Sequence, residues 1–279
     1  MKYEDKLRLA IEEVGSCLCV GLDPHLHMIP ERLTNQISDK NERVVYFLEQ
    51  IIKLTTPYCA AYKPNLAFYE ALGEDGLQVF KKVLDAIPEN KIIIADAKRG
   101  DIGSTAENYK KAFFDHWDVD AITLNPLMGF ETLTHYYDYP SKALYVLALT
   151  SNPGASDFLE KPFSGFSSMA AFISNNLKLL QSECQAALGM VVGATKAKQL
   201  TPVLENYPTG PLLIPGIGKQ GGNIEELVSL LAGYEGVPLV SSSRSILFAG
   251  GIRDNWEQAV EDKVKLYKKH LMPITKHYV

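Results

Sequence analysis

About eight times along its 279 residues the chain repeats one unit: a short, wholly apolar run, a polar residue beside proline or glycine, then a segment whose apolar residues recur at helical intervals. A strand with no polar face is buried on both sides, the condition of a parallel sheet covered by helices. Eight such units in a chain of this length predict an α/β fold, a closed (β/α)8 TIM barrel, as a single domain over residues 1–279. A helix precedes the first strand, and there is extra length around residues 155–188. An open doubly wound sheet is the alternative, but no GxGxxG follows the first strand. No linker, low-complexity stretch or sequence repeat divides the chain.

In order, helical spacing over Tyr3–Val14 ends at Gly15, and a strand at 17–22 stops at Asp23-Pro24. A helix at 42–54 leads to an apolar run at 58–62 that ends in Lys63-Pro64. Residues 66–87 read as helix broken near 73–76, then the stretch 91–105 opens with the central strand at Ile92–Ile94, followed by helix from about 104 to 117. Strands are expected at Ala121–Leu124 and 144–149, with a helix near 129–137 between them. Residues 155–165 read as a long loop and 168–188 as one long helix, before a strand at 190–192 and a helix at Ala197–Asn206. The last two strands fall at 212–214 and 239–240, separated by a helix at 223–232 capped by Asn223, and the final helices run to 269.

At 46% hydrophobic and 22% charged residues the composition is that of an ordinary soluble protein. A net charge of −5 argues against a nucleic-acid partner, while a local basic pocket for a small anion stays open. Cys17, Cys19, Cys59 and Cys184 form no CxxC pair and no zinc spacing, and three lie in apolar runs. The N-terminus has no signal-peptide core and no apolar run is long enough for a membrane, so a reducing cytoplasm is expected.

In a barrel the residues that close the strands meet at one mouth, where such folds place their chemistry. Here they are Asp23, Lys63, Asp96, Asn125, Ser151, Gln220 and Arg244. Singly, Asp23 is a turn former before proline, Lys63 a surface lysine, and Asn125 an Asx-turn before Pro126. Their recurrence at one end of successive strands points instead to a site. The densest stretch is KIIIADAKRGDIGST, where charges of both signs follow Ile92–Ile94 directly. If the strand persists past Asp96, period two puts Asp96 and Lys98 on one face.

Residues 215–222, PGIGKQGG, hold four glycines ahead of a helix, and Arg244 closes the next strand. Barrels frequently bind phosphate between these two units, so a phosphorylated small molecule is the expected ligand. His25-Leu26-His27 has the HxH form of metal-dependent barrels, but His116, His135, His270 and His277 fall on helices or the tail, which argues against a metal site.

The stretch Asp96-Ala97-Lys98-Arg99-Gly100-Asp101-Ile102 resembles the DxKxxD signature of the orotidine 5'-phosphate decarboxylase family. Leu22-Asp23-Pro24, Lys63-Pro64-Asn65, Thr150-Ser151-Asn152-Pro153-Gly154, PGIGKQGG and Ser243-Arg244-Ser245 match that family in order, from Gly21 to Ser245. The wording DAKRGDIGSTA and the extra length at 155–188 resemble its longer branch. The resemblance implies decarboxylation of orotidine 5'-monophosphate to uridine 5'-monophosphate in pyrimidine synthesis, without cofactor or metal, by an obligate homodimer. It implies a Lys63–Asp96–Lys98–Asp101 network, with Lys98 the proton donor to C6 and Asp96 against the departing carboxylate. Lys63 and Asp23 would hold the ribose hydroxyls and Ser151 the pyrimidine. Pro215, Gly218, Gln220 and Arg244 would hold the phosphate, with Asn125 a further substrate contact. Asp101, Ile102 and Thr105 would act across the subunit interface.

Two other classes remain. A magnesium-dependent decarboxylase or aldolase acting on a sugar phosphate needs an acidic metal ligand near the central strand, for which Glu107 is the candidate. A non-catalytic nucleotide-binding barrel would bind uridine monophosphate and release no CO2.

Overall fold

The computed structural model describes residues 1–217, 223–252 and 255–278. Eight parallel strands close in chain order: β1 (Leu18–Gly21), β2 (Ala61–Lys63), β3 (Ile92–Arg99), β4 (Ala121–Leu124), β5 (Ala143–Leu149), β6 (Ala187–Val192), β7 (Leu212–Pro215) and β8 (Pro238–Ser242). The seam is β1 on β8, in the register Leu18↔Val240, Cys19↔Ser241 and Val20↔Ser242, which leaves no open edge. This is the (β/α)8 TIM barrel that the apolar runs predict, and β1, β2, β4, β6 and β8 are buried along their whole length.

Helices α1 (Tyr3–Val14), α2 (Glu31–Gln36), α3 (Lys40–Thr55), α4 (Leu66–Glu70), α5 (Gly76–Asp85), α6 (Gly103–Lys110), α7 (Met169–Gln181), α8 (Ala197–Asn206), α9 (Ile224–Leu230), α10 (Arg244–Leu247) and α11 (Trp256–Thr275) accompany the strands. Their ends follow local chemistry. Gly15 stops α1 in the left-handed region at φ 56°, where glycine carries no Cβ penalty. Asp39 caps α3 by accepting from the Asn41 and Glu42 amides, each at 2.8 Å. Asn223 caps α9 in the same way, as its position predicts. Among the described residues no helix is long and apolar enough to cross a membrane.

Several expected boundaries move. The helix expected over 168–188 ends at Gln181, and β6 already starts at Ala187. The cause is the Gln181 side chain: its amide donates to the carbonyls of Cys184 and Ala186 at 3.0 and 3.1 Å, while its Oε1 accepts from Leu188 N at 2.7 Å. One side chain thus holds residues 182–186 out of the helix. Tyr58 belongs to a 3-10 turn, Thr56–Tyr58, not to β2, and the segment near 129–137 is the 3-10 helix Phe130–Tyr136. The helix after β3 widens into a π-helix at Lys111–His116. There Phe113 packs edge-on against Trp117 and Phe114 against Tyr136. Helix α11 continues to Thr275, past the expected end at 269.

Candidate active site

The carboxyl ends of β2, β3 and β4 build the charged part of the mouth. Lys63 closes β2 and Asp96 lies in β3; both are buried, at 7% and 8% exposure. Lys63 Nζ donates to Asp96 Oδ2 at 2.6 Å, and Lys98 Nζ donates to Oδ1 at 2.5 Å. Asp96 is therefore one carboxylate between two ammonium groups. The Lys98 side chain remains 48% exposed.

Burial alone would raise the Asp96 carboxyl; the ammonium groups of Lys63 and Lys98 outweigh it and hold Asp96 well below the usual carboxylate range. Burial likewise opposes the charge on Lys63, but Asp96 and then Asp23 hold it above the usual lysine range. Asp96 and Lys63 are charged across the neutral range. The cysteines do the reverse: burial pushes the Cys17 and Cys59 thiols up to about 11 and Cys19 to about 12, so they offer no thiolate at neutral pH. All four cysteines are free and buried.

Lys98 does not reach Asp96 by simple strand alternation. Its φ is 49°, in the left-handed region, and the β3–β4 register shifts between Ala95 and Arg99. The Thr123 hydroxyl in β4 touches both ends of this irregularity: it accepts from Lys98 N at 2.9 Å and donates to Asp96 Oδ1 at 3.0 Å.

A cleft of about 330 Å³ runs from this network to the ends of β7 and β8, and Asp23, Lys63, Asp96, Pro215 and Arg244 share its wall. The ends of β1 and β8 meet there because residue 21 is glycine: a Cβ at that position would sit 2.6 Å from Ser243 Cβ. At the other wall Gly216 takes φ 106°, a value that glycine adopts without a Cβ penalty, and it lines the cleft with Ile217. Asp23 Oδ1 and Ser243 Oγ are buried with no hydrogen-bond partner among the described residues.

Other expected site residues lie apart. Asn125 Oδ1 accepts from Leu127 N at 3.0 Å, the Asx-turn of its plain reading, and the side chain lines a neighbouring apolar recess with Thr150 and Phe158. The Ser151 carbonyl accepts from Thr195 Oγ1 at 3.2 Å. Asp101 accepts from the Ile102 amide at 2.9 Å, and Ile102 and Thr105 are exposed at the start of α6; these three do not line the cleft of their own chain. Gly218 and Gln220 lie outside the described residues.

Glu107 pairs with Lys110 at 2.7 Å on α6, away from the cleft. His25 and His27 pack edge-on, with His25 also 4.7 Å from the Phe68 ring. His25, Asn65, Phe68 and Thr123 were not among the expected site residues. Asn65 had a signal in its place in Lys63-Pro64-Asn65, and His25 one in His25-Leu26-His27, which was read toward a metal and set aside.

Comparison with known proteins points to one family. The model of the orotidine 5'-phosphate decarboxylase / HUMPS family matches residues 16–259. An orotidine 5'-phosphate decarboxylase of Herpetosiphon aurantiacus is 40% identical over 253 residues, 89% of this chain and 90% of that protein. One from Dehalococcoides mccartyi is 36% identical over 279 residues, covering 96% and 99%. Among solved structures, the OMP decarboxylase of Leishmania donovani superposes with a TM-score of 0.77 at 29% identity, covering 96% of this chain and 99% of that one. With its barrel, its cleft and these matches over most of its length, the chain belongs to the orotidine 5'-phosphate decarboxylase / HUMPS family.

Proposed function

We propose that the chain decarboxylates orotidine 5'-monophosphate to uridine 5'-monophosphate and CO2, the closing step of pyrimidine synthesis, with its own side chains as the whole catalytic apparatus. The observation that carries this is the buried carboxylate of Asp96 between the ammonium groups of Lys63 and Lys98, in a cleft whose far end is Arg244. When the bond from C6 to the carboxylate breaks, the electron pair stays on C6 in the ring plane, where no π-system absorbs it. A fixed positive charge must meet it there. Lys98 supplies that charge and then its proton; C6 gains the hydrogen, CO2 departs, and the lysine regains a proton from solvent. Asp96 faces the substrate carboxylate and repels it most before the charge moves to carbon.

Arg244 and the loop at 215–222 bind the phosphate, Asp23 and Lys63 the ribose hydroxyls, and Ser151 and Asn125 serve the base. The place of Asp23 and Lys63 in the cleft wall supports the ribose assignment. Asp101, Ile102 and Thr105 act in the partner's site of a homodimer. In support, Ile102 is 54% exposed, and on the loop that Gly100 meets at Asn125, Leu127 and Met128 are 69% and 50% exposed. Such apolar exposure beside a charged site suits a second subunit better than water. Free, buried cysteines suit a reducing cytoplasm.

The test is the loss of orotidine monophosphate absorbance with purified protein, with and without EDTA. The expected result is turnover that the chelator leaves unchanged. Activity lost to EDTA would favour a metal-dependent reaction, and uridine monophosphate binding without CO2 release a non-catalytic barrel.

A further inference from the structure

An L-residue at φ 49° inside a charged run needs something to hold it, and Thr123 is placed to do so. It is 1% exposed, on the strand beside β3, where the register slips. We propose that Thr123 is a positioning residue for the decarboxylation, its hydroxyl locking the Lys98 backbone and the Asp96 carboxylate into one frame. This rests on the assignment of Lys98 as proton donor made above.

The polarity of the two bonds is forced. A backbone N–H only donates and a carboxylate only accepts, and a hydroxyl has a single proton. Thr123 Oγ1 must therefore accept from Lys98 N and send its proton to Asp96 Oδ1. That oxygen is the one the Lys98 ammonium holds at 2.5 Å. The bonds close a ring: Lys98 amide to Thr123, Thr123 to Asp96, and Asp96 back to the Lys98 side chain. Both the root of the Lys98 side chain and the partner of its tip are thereby referred to one buried atom. Removing the hydroxyl strands a backbone N–H and takes a donor from Asp96. The left-handed turn at Lys98 then loses its tie to β4, and the ammonium its fixed place against C6. Proton delivery is sensitive to such displacement, whereas ligand binding is carried at the far end of the cleft.

Thr123→Val removes the hydroxyl at nearly constant shape, and Thr123→Ser keeps it. In the purified full-length protein we expect Thr123→Val to lower kcat at least about tenfold while uridine monophosphate affinity stays within about threefold, and Thr123→Ser to keep kcat within about threefold. A valine variant with near-wild-type kcat overturns the inference. So does a serine variant as impaired as valine, or an equal loss in kcat and in affinity, which would mark a merely structural role. Should the valine chain not fold, Thr123→Ala set against Thr123→Ser reads the same hydroxyl. Lys98→Ala run alongside separates the two levels. If it turns over normally, the proton-donor assignment falls; if it is inactive while Thr123→Val is active, only the role of Thr123 falls.

Discussion

Two lysines set the charge of Asp96, and this gives the residue a pH signature. Its carboxyl sits below the ordinary aspartate value of 3.8, so the stability it contributes is fully present above that value and is lost as pH falls through the lower, folded one. Lys63 sits above 10.5, so its contribution is present below 10.5 and is lost as pH rises through the higher, folded value. The network is thus most stabilising between these limits. The stability gap between the wild type and Asp96→Asn, followed by urea unfolding, should hold level from about pH 5 to about pH 9 and narrow below about pH 4. A gap that stays unchanged in acid would mean that Asp96 is not held by the lysines. Lys98→Ala should abolish nearly all turnover and leave the fold intact, because counter-charge and proton vanish together; near-normal turnover would remove Lys98 from the mechanism. At the other end of the cleft, an Arg–phosphate contact is commonly worth about 1.5–3 kcal/mol, so Arg244→Ala should lower kcat/KM by at least about tenfold. Unchanged kinetics would move the phosphate elsewhere.

Among the elements, the meeting of β1 with β8 sets the width of the cleft. Gly21→Ala forces its new methyl onto Ser243, and only a shift of the chain between β8 and α10 relieves it. Overpacking of this kind costs about 1–3 kcal/mol, and here it displaces the segment that carries Arg244. A lowered melting temperature together with a raised KM is expected; a raised KM alone would mean the strands yield without strain. The strands were legible because a parallel strand must be apolar on both faces, as in AITL and LLIP, and charge directly after such a run marks the mouth. The turn at 182–186 was not legible, since SECQA differs little from helix and its stop depends on where the Gln181 amide points. Nor was the left-handed Lys98, because strand alternation already paired it with Asp96 and glycine is the usual sign of positive φ. Thr123 was silent because threonine suits a strand as well as its isoleucine neighbour does.

For the molecule as a whole, the partner's contribution can be tested by mixing two dead proteins. Lys98→Ala and Asp101→Ala chains, allowed to exchange subunits, would form half heterodimers with one complete site in two, recovering about a quarter of wild-type activity. Mixtures shown to exchange that stay inactive would put Asp101 in its own chain's site or outside the reaction. The closed seam of the barrel also has a temporal side. Lys63, Asp96, Lys98 and Thr123 all lie before residue 124, whereas Ser243 and Arg244 follow the last strand, and that strand must pair with the first to bring them beside Asp23. A nascent chain that has left the ribosome as far as β7 owns the whole charged triad but only one wall at the far end of the cleft. On the proposed assignment of Arg244 to the phosphate, the capacity to recognise a nucleotide therefore arrives last in synthesis, in the same event that joins the two ends of the sheet.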